Sequence, residues 1–135
     1  MSVTPSNNVF MTLVRAFFVS GGTVRAEELE RQLQERQRGD YISLARLMAS
    51  GKVFFFEWRD AFWVPMFQFD PQNLSVKSTF ERIRDELTPQ LNGWQLAQWF
   101  AMPNVCLGNR RPADVLDLDF ASVLAAARQD RGLAH

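Results

Sequence analysis

The stretch from Gly93 to Leu116, GWQLAQWFAMPNVCLGNRRPADVL, constrains the chain more than any other. Asn92 followed three residues later by Gln95 has the pattern of a capping box, and it predicts a short apolar helix over Trp94–Ala101. Met102-Pro103-Asn104 must end that helix, because proline has no backbone N–H to donate and drives the residue before it out of the helical region. Leu107-Gly108 then makes a compact loop, and Pro112 suits the first position of a new helix running through Leu116. With Pro103 and Pro112 fixing backbone angles on either side of Gly108, the Asn104–Arg111 segment is expected to be rigid. A rigid loop loses less entropy when it binds.

Before this stretch the pattern predicts one helical unit with a hairpin. Asn7 or Asn8 caps a first helix over Val9–Val19, whose face is Phe10, Leu13, Val14, Phe17 and Phe18 at helical spacing. Gly21-Gly22 ends it. Thr23 caps a second helix, with Glu27 and Glu28 at the positive end of its dipole, a buried stripe of Ala26, Leu29 and Leu33, and a stop at Gly39. Asp40 caps a third, carrying Ile42, Leu44, Leu47 and Met48 and ending near Ser50-Gly51. Val53–Trp58 and Ala61–Phe69 flank a polar break at Arg59-Asp60 and read as a β-hairpin with large apolar groups on both faces, Pro65 lying at an edge or ending the second strand. Asp70-Pro71 is the expected boundary between two lobes. Beyond it, Ser78 and Glu81 form a capping box opening a helix to about Leu87 or Leu91 with Phe80, Ile83 and Leu87 on one side, which Thr88-Pro89 bends or ends. Asp119 caps a final helix over Phe120–Arg128, followed by a charged end, Asp130, Arg131, Gly132 and His135.

The chemistry classes that a sequence can announce are missing. A zinc site needs several converging His, Cys or carboxylate ligands, and the chain has one histidine, His135, and one cysteine, Cys106. There is no phosphate-binding glycine loop. Asp85-Glu86 and Asp117 with Asp119 read as helix surface and caps. The chain is therefore expected not to be an enzyme and to carry no cofactor. Lone Cys106 cannot form an internal disulfide, and no leader pattern or membrane-spanning run is present, so a cytoplasmic protein with no membrane partner is expected. Twelve Phe and four Trp are a heavy aromatic load for 135 residues. A surplus left exposed marks an interface. Fifteen cations balance fifteen anions, which removes the charge repulsion that keeps proteins apart and points to a homodimer.

The helix–turn–helix followed by a hairpin also allows DNA binding. Arg46 lies on the third helix, Arg36 and Arg38 in the turn before it, and Arg59 at the hairpin tip, where they suit phosphates. The same arginines are equally read as the solvated face of an ordinary helical lobe, and the third helix offers few polar groups for base edges.

The residues Trp99-Phe100, Pro103-Asn104, Leu107-Gly108, Arg111-Pro112 and Val115-Leu116, with the final helix after them, resemble the toxin-binding domain of the Xre/MbcA/ParS-type antitoxins. In that family an alanine-rich helix ends in Trp-Leu, a Pro-Asn turn and Leu-Gly-Gly follow, and Thr-Pro starts the next helix. Here Asn109 stands for the second glycine and Arg111 for the threonine, and the resemblance covers about residues 78–131. It implies a bacterial toxin–antitoxin protein that neutralises a partner toxin of the RES type, which degrades NAD. By that resemblance Asn104, Leu107, Gly108, Arg110, Arg111, Arg128, Asp130 and Arg131 face the toxin, while Trp99, Pro103 and Pro112 form the scaffold. Arginines suit an anion-lined or phosphate-binding cleft.

The expected fold is mainly α: an N-terminal three-helix unit with a β-hairpin, winged-helix-like, over residues 1–71, then a C-terminal helical toxin-binding-type lobe over residues 72–135. The competing readings are a stand-alone winged-helix-like transcription regulator that binds DNA and a non-catalytic adaptor subunit.

Overall fold

The computed structural model describes residues 7–36, 43–88 and 91–133, the last three in backbone only. In chain order the elements are α1 (Asn7–Phe17), β1 (Thr23–Arg25), α2 (Ala26–Arg36), α3 (Leu44–Ala49), β2 (Phe56–Trp58), β3 (Ala61–Pro65), α4 (Ser78–Leu87), α5 (Gly93–Ala101), α6 (Pro112–Val115) and α7 (Phe120–Leu133), with 3-10 turns at Met66–Gln68 and Val105–Leu107. The protein is mainly helical with one small antiparallel sheet. Gly39, the Asp40 cap, Arg38, Pro89 and His135 lie outside the described residues, as does the side chain of Arg131.

The expected hairpin is part of a three-stranded sheet ordered β1-β3-β2. Thr23 does not cap α2. It is extended and pairs with Pro65, Val24 pairs with Val64, and Arg25 with Trp63. On the other edge of β3, Phe56 pairs with Trp63 and Trp58 with Ala61. β3 is thus the central strand, and Pro65 closes it, after which Met66–Gln68 turns away. The regular ladder is shorter than the aromatic run, covering only Phe56–Trp58 and Ala61–Pro65.

The turn joining β2 to β3 is held at a cost. Arg59 and Asp60 both have positive φ, 50° and 60°. This is the left-handed pair that a two-residue hairpin of the right twist demands, and asparagine and glycine adopt it more easily. Each non-glycine residue there costs about 1–2 kcal/mol. The Arg59 guanidinium recovers part of this over the Trp58 ring, 4.5 Å from its centroid, and by donating to Asn7 Oδ1 at 3.3 Å. Cation–π contacts at exposed sites contribute only about 0.5–1 kcal/mol. Replacing Arg59-Asp60 by Asn-Gly is therefore expected to stabilise the protein by about 1 kcal/mol, measured by urea unfolding. Destabilisation would show that the arginine contacts outweigh the strain.

Two apolar clusters fill the interior. The smaller joins Leu29 and Leu33 of α2, Leu44 and Leu47 of α3, and Val53, Val64, Phe69 and Leu74. The third helix starts later than expected: Ser43 caps it, accepting from Arg46 N–H, and the Glu30 carboxylate accepts from Leu44 N–H at 2.8 Å. The larger cluster runs from Phe10, Leu13 and Phe17 of α1 through Phe54, Phe56 and Phe67 to α4, α5 and α7, and so contains residues from both sides of Asp70-Pro71. The helical spacing places Phe18 on the buried face of α1, and the structure does not. The helix ends at Phe17, and Phe18 is 79% exposed.

The C-terminal elements close around this core. The Ser78–Glu81 capping box is not formed, because Ser78 is already helical and Lys77 at the cap position makes no side-chain cap. An anion from elsewhere takes that place: Asp117 accepts from Lys77 Nζ at 2.6 Å and from Thr79 Oγ at 3.0 Å, close to the positive end of the α4 dipole. The Asn92–Gln95 box is formed in both directions. Gly93 opens α5 against the Phe55 carbonyl, so close that any β-carbon there would overlap it. Pro112 starts α6 as its fixed φ allows. Small side chains Ala126 and Ala127 let α7 lie closely on α4. The charged end is not a tail, since α7 continues through Leu133.

Candidate partner-binding site

The loop between α5 and α6 holds itself together. Asn104 is its hub. The Asn104 side-chain oxygen accepts from Cys106 N–H at 2.9 Å, and its carbonyl accepts from Leu107 and Asn109 N–H, both at 2.9 Å. Its own N–H donates to the Arg110 carbonyl at 3.0 Å, making a one-residue bridge across the loop. Arg110 Nε returns a bond to the Leu107 carbonyl at 2.8 Å. Gly108 and Asn109 have φ of 65° and 64°. Two successive left-handed residues explain the local sequence: glycine is the default there, and asparagine tolerates the conformation because its short amide can bond locally.

The loop is anchored below and clamped from the side. Leu107 is 2% exposed and reaches the larger core, and Pro112 and Ala113 are buried behind it. From α7, the Asp130 carboxylate accepts from the Trp99 indole N–H at 2.6 Å and from the Asn104 amide at 3.4 Å. Cys106 Sγ lies 3.5 Å from Gln129 Oε1. At the start of α7, hydrogen bonds from Ser122 hold the Asp119 carboxyl below its ordinary range, assisted by Arg110, whose guanidinium is 3.4 Å away.

Of the residues the sequence assigns to a toxin face, the structure brings Asn104, Gly108 and Arg110 to one loop. Leu107 is beneath it as an anchor. Arg111 turns to Asp114 at 3.7 Å. Asp130 faces the loop, whereas Arg128 bonds Glu86 of α4 at 3.2 Å. Two residues apart on a helix point roughly 200° from one another, so Arg128 and Asp130 do not form one surface. Pro103 is exposed at the loop's entrance, and Trp99 is half-buried.

Sequence reasoning missed the side chain that the loop presents. Val105 is 81% exposed, next to exposed Cys106. A branched apolar residue inside a Pro- and Gly-bounded loop, two before the anchoring leucine, is the signal that marks it. The arginines proposed for DNA stand on separate elements: Arg36 bonds the Pro71 carbonyl at 3.1 Å, Arg46 is exposed on α3, and Arg59 folds back over Trp58.

Among the described residues no three His, Cys, Asp or Glu side chains converge as metal ligands, and no helix is long and apolar enough to cross a membrane. Comparison with protein-family models, curated proteins and solved structures gave no match to this chain.

Proposed function

We propose that the chain is a non-catalytic, antitoxin-like protein that binds a partner toxin enzyme through the Asn104–Arg111 loop and the adjoining end of α7. By the resemblance of this segment, the partner is of the RES type and consumes NAD. The observation that carries the reading is the preorganised loop. A solvent-facing turn is fixed by its own hydrogen bonds and by the Asp130 clamp, and at its crest it holds Val105 at 81% exposure. An apolar side chain held rigidly in water contributes little to the fold. It suits docking, because the entropy of ordering it has already been lost on folding.

Capture of the partner from the native host, its identification by mass spectrometry, and an assay of NAD consumption with and without this chain test the reading. Val105→Asp is expected to weaken the complex about thirtyfold, the effect of losing one central apolar anchor, with an unchanged melting curve because the side chain is exposed. An affinity within about threefold of the native value would remove the loop from the interface. Truncation before Arg128 is a poorer test, since it deletes Arg128, which bonds Glu86, and Asp130, which bonds the Trp99 indole.

The N-terminal half we read as winged-helix-like, from its order of helix, strand, two helices and hairpin with β3 central. That order favours DNA binding as the second reading. Against it, the outward side chains of α3 include two alanines, Ala45 and Ala49, beside Arg46, which gives one cation for phosphate or base contact.

A further inference from the structure

A hollow of about 570 Å³ lies where the two halves of the chain meet, and it shares no residue with the Asn104–Arg111 loop. Small-molecule sites occupy volumes of about 300–1,000 Å³ and favour the seams between structural units. The walls come from the turn after α1, the end of α2, the segment between β3 and α4, and α6 with the turn that follows it. Phe69, Leu74 and Ala113 are buried and give the hollow an apolar lining. The wall that carries Leu74 is preformed: Leu74 N–H donates to the Asp70 carbonyl at 2.7 Å, and Asp70 N–H to the Ser75 carbonyl at 2.8 Å. Val19 and Leu118 line the hollow from the two halves of the chain and are 74% and 82% exposed. Apolar side chains left in water on two separate segments, bordering one hollow, are covered together by a single apolar body inside it.

Four charged side chains line the hollow, and three of them are engaged. Lys77 and Asp117 bond each other at 2.6 Å, and Asp114 faces Arg111 at 3.7 Å. Arg36 is the fourth. Its Nη1 donates to the Pro71 carbonyl at 3.1 Å, which holds the guanidinium at the hollow, and it forms no ion pair with another described residue. Arginine carries its N–H donors in a fixed fork that matches a carboxylate, and a single bond to a carbonyl leaves most of that fork open. The Lys77 side chain is only 20% exposed, and its ammonium has Asp117 as its one described acceptor, so it too has protons to give. The charge left without a partner is positive and stands beside an apolar lining. Asp114 and Asp117 in the same hollow oppose a doubly charged phosphate, and a single carboxylate is the anion this balance admits.

We propose that this hollow is a binding site for a small monocarboxylate with an apolar body. The carboxylate takes the Arg36 fork, and the body lies against Leu74, Val19 and Leu118. The site is separate from the partner-binding loop, so its test stands or falls independently of the toxin reading.

Titration of the isotope-labelled full chain with hexanoate, hexanol and hexylammonium, followed by backbone amide NMR shifts, tests this, because the three probes share a body and differ in charge. Hexanoate is expected to bind saturably with a dissociation constant of about 1 mM, shifting the amides of the residues that line the hollow. Hexanol and hexylammonium are expected to bind at least about tenfold more weakly. Arg36→Gln is expected to bring hexanoate down to the affinity of hexanol and to leave hexanol within about twofold of its native value. Arg36 is exposed, so the variant is expected to keep the native amide spectrum elsewhere. Arg46→Gln removes an exposed arginine that does not line the hollow and is expected to change neither affinity. Absence of saturable hexanoate shifts up to about 10 mM overturns the proposal. So do equal affinities for hexanoate and hexanol, saturable shifts centred away from the hollow, or a preference for the carboxylate that survives Arg36→Gln.

Discussion

Phe67→Ala is expected to destabilise the protein by about 4 kcal/mol, the middle of the range for removing a fully buried phenylalanine. Phe67 is 2% exposed and meets four rings from four parts of the chain: Phe17 at 5.5 Å, Phe54 at 5.9 Å, Phe80 at 5.7 Å and Phe100 at 4.7 Å. Phe17 belongs to α1, Phe80 to α4 and Phe100 to α5. The lost ring therefore withdraws contacts on both sides of Asp70-Pro71. Guanidinium unfolding followed by far-UV circular dichroism and by tryptophan fluorescence checks it. Variants retaining only Trp63 or only Trp99 report the two halves separately. The transitions are expected to coincide in the native protein and to move together in the variant. A loss confined to the Trp63 signal, with the Trp99 transition unmoved, would mean that the halves fold independently and that Phe67 matters to only one.

Local signals were legible where local physics decides. The helical spacing of Phe10, Leu13 and Phe17, the stripe of Leu29 and Leu33, the Asn92–Gln95 box and Pro112 at a helix start each rest on contacts within a few residues, and each is found. β1 was not legible. Three residues are too few to carry an alternating pattern, and Gly-Gly-Thr before acidic residues has the look of a helix cap. Thr23 is extended because β3 offers it an edge, and that edge belongs to a segment about forty residues on in the chain. The Ser78 box failed for a related reason: Asp117, 40 residues from Lys77, supplies the negative charge at the start of α4. The same division runs through the candidate site. The Leu107-Gly108-Asn109 turn is written in its residues, whereas the clamp of Asp130 on Trp99 and Asn104 spans 31 and 26 residues and needs α7 to be in place.

Gln68 is the plainest case of a residue whose meaning lies outside its neighbours, and Gln68→Leu is expected to cost about 3 kcal/mol despite nearly conserving volume. The side chain is wholly buried. Its oxygen accepts from Phe54 N–H at 2.8 Å, and its amide donates to the carbonyls of Phe54 at 3.0 Å and Pro65 at 2.9 Å. It acts as a one-residue strand, pairing with Phe54 at the point where the backbone before β2 has no ladder partner. Leucine would keep the apolar contacts and strand the Phe54 N–H away from water, at about 1–3 kcal/mol for each buried group left without a partner. The gain from burying leucine instead of an amide offsets part of this, which places the net near 3 and not near the sum. Gln68→Glu separates hydrogen bonding from shape. The carboxylate can still accept from Phe54 N–H but has no proton for the two carbonyls, and burial favours its neutral form. With its folded pKa raised above the unfolded one, the stability of that variant should be greatest below the unfolded pKa and fall as pH rises through the folded one. Urea unfolding of both variants across the acid range would decide the point. A leucine variant within about 1 kcal/mol of native would mean that water replaces the amide at Phe54, and that the packing of Phe54 between Phe67 and Phe100 does not depend on this bridge.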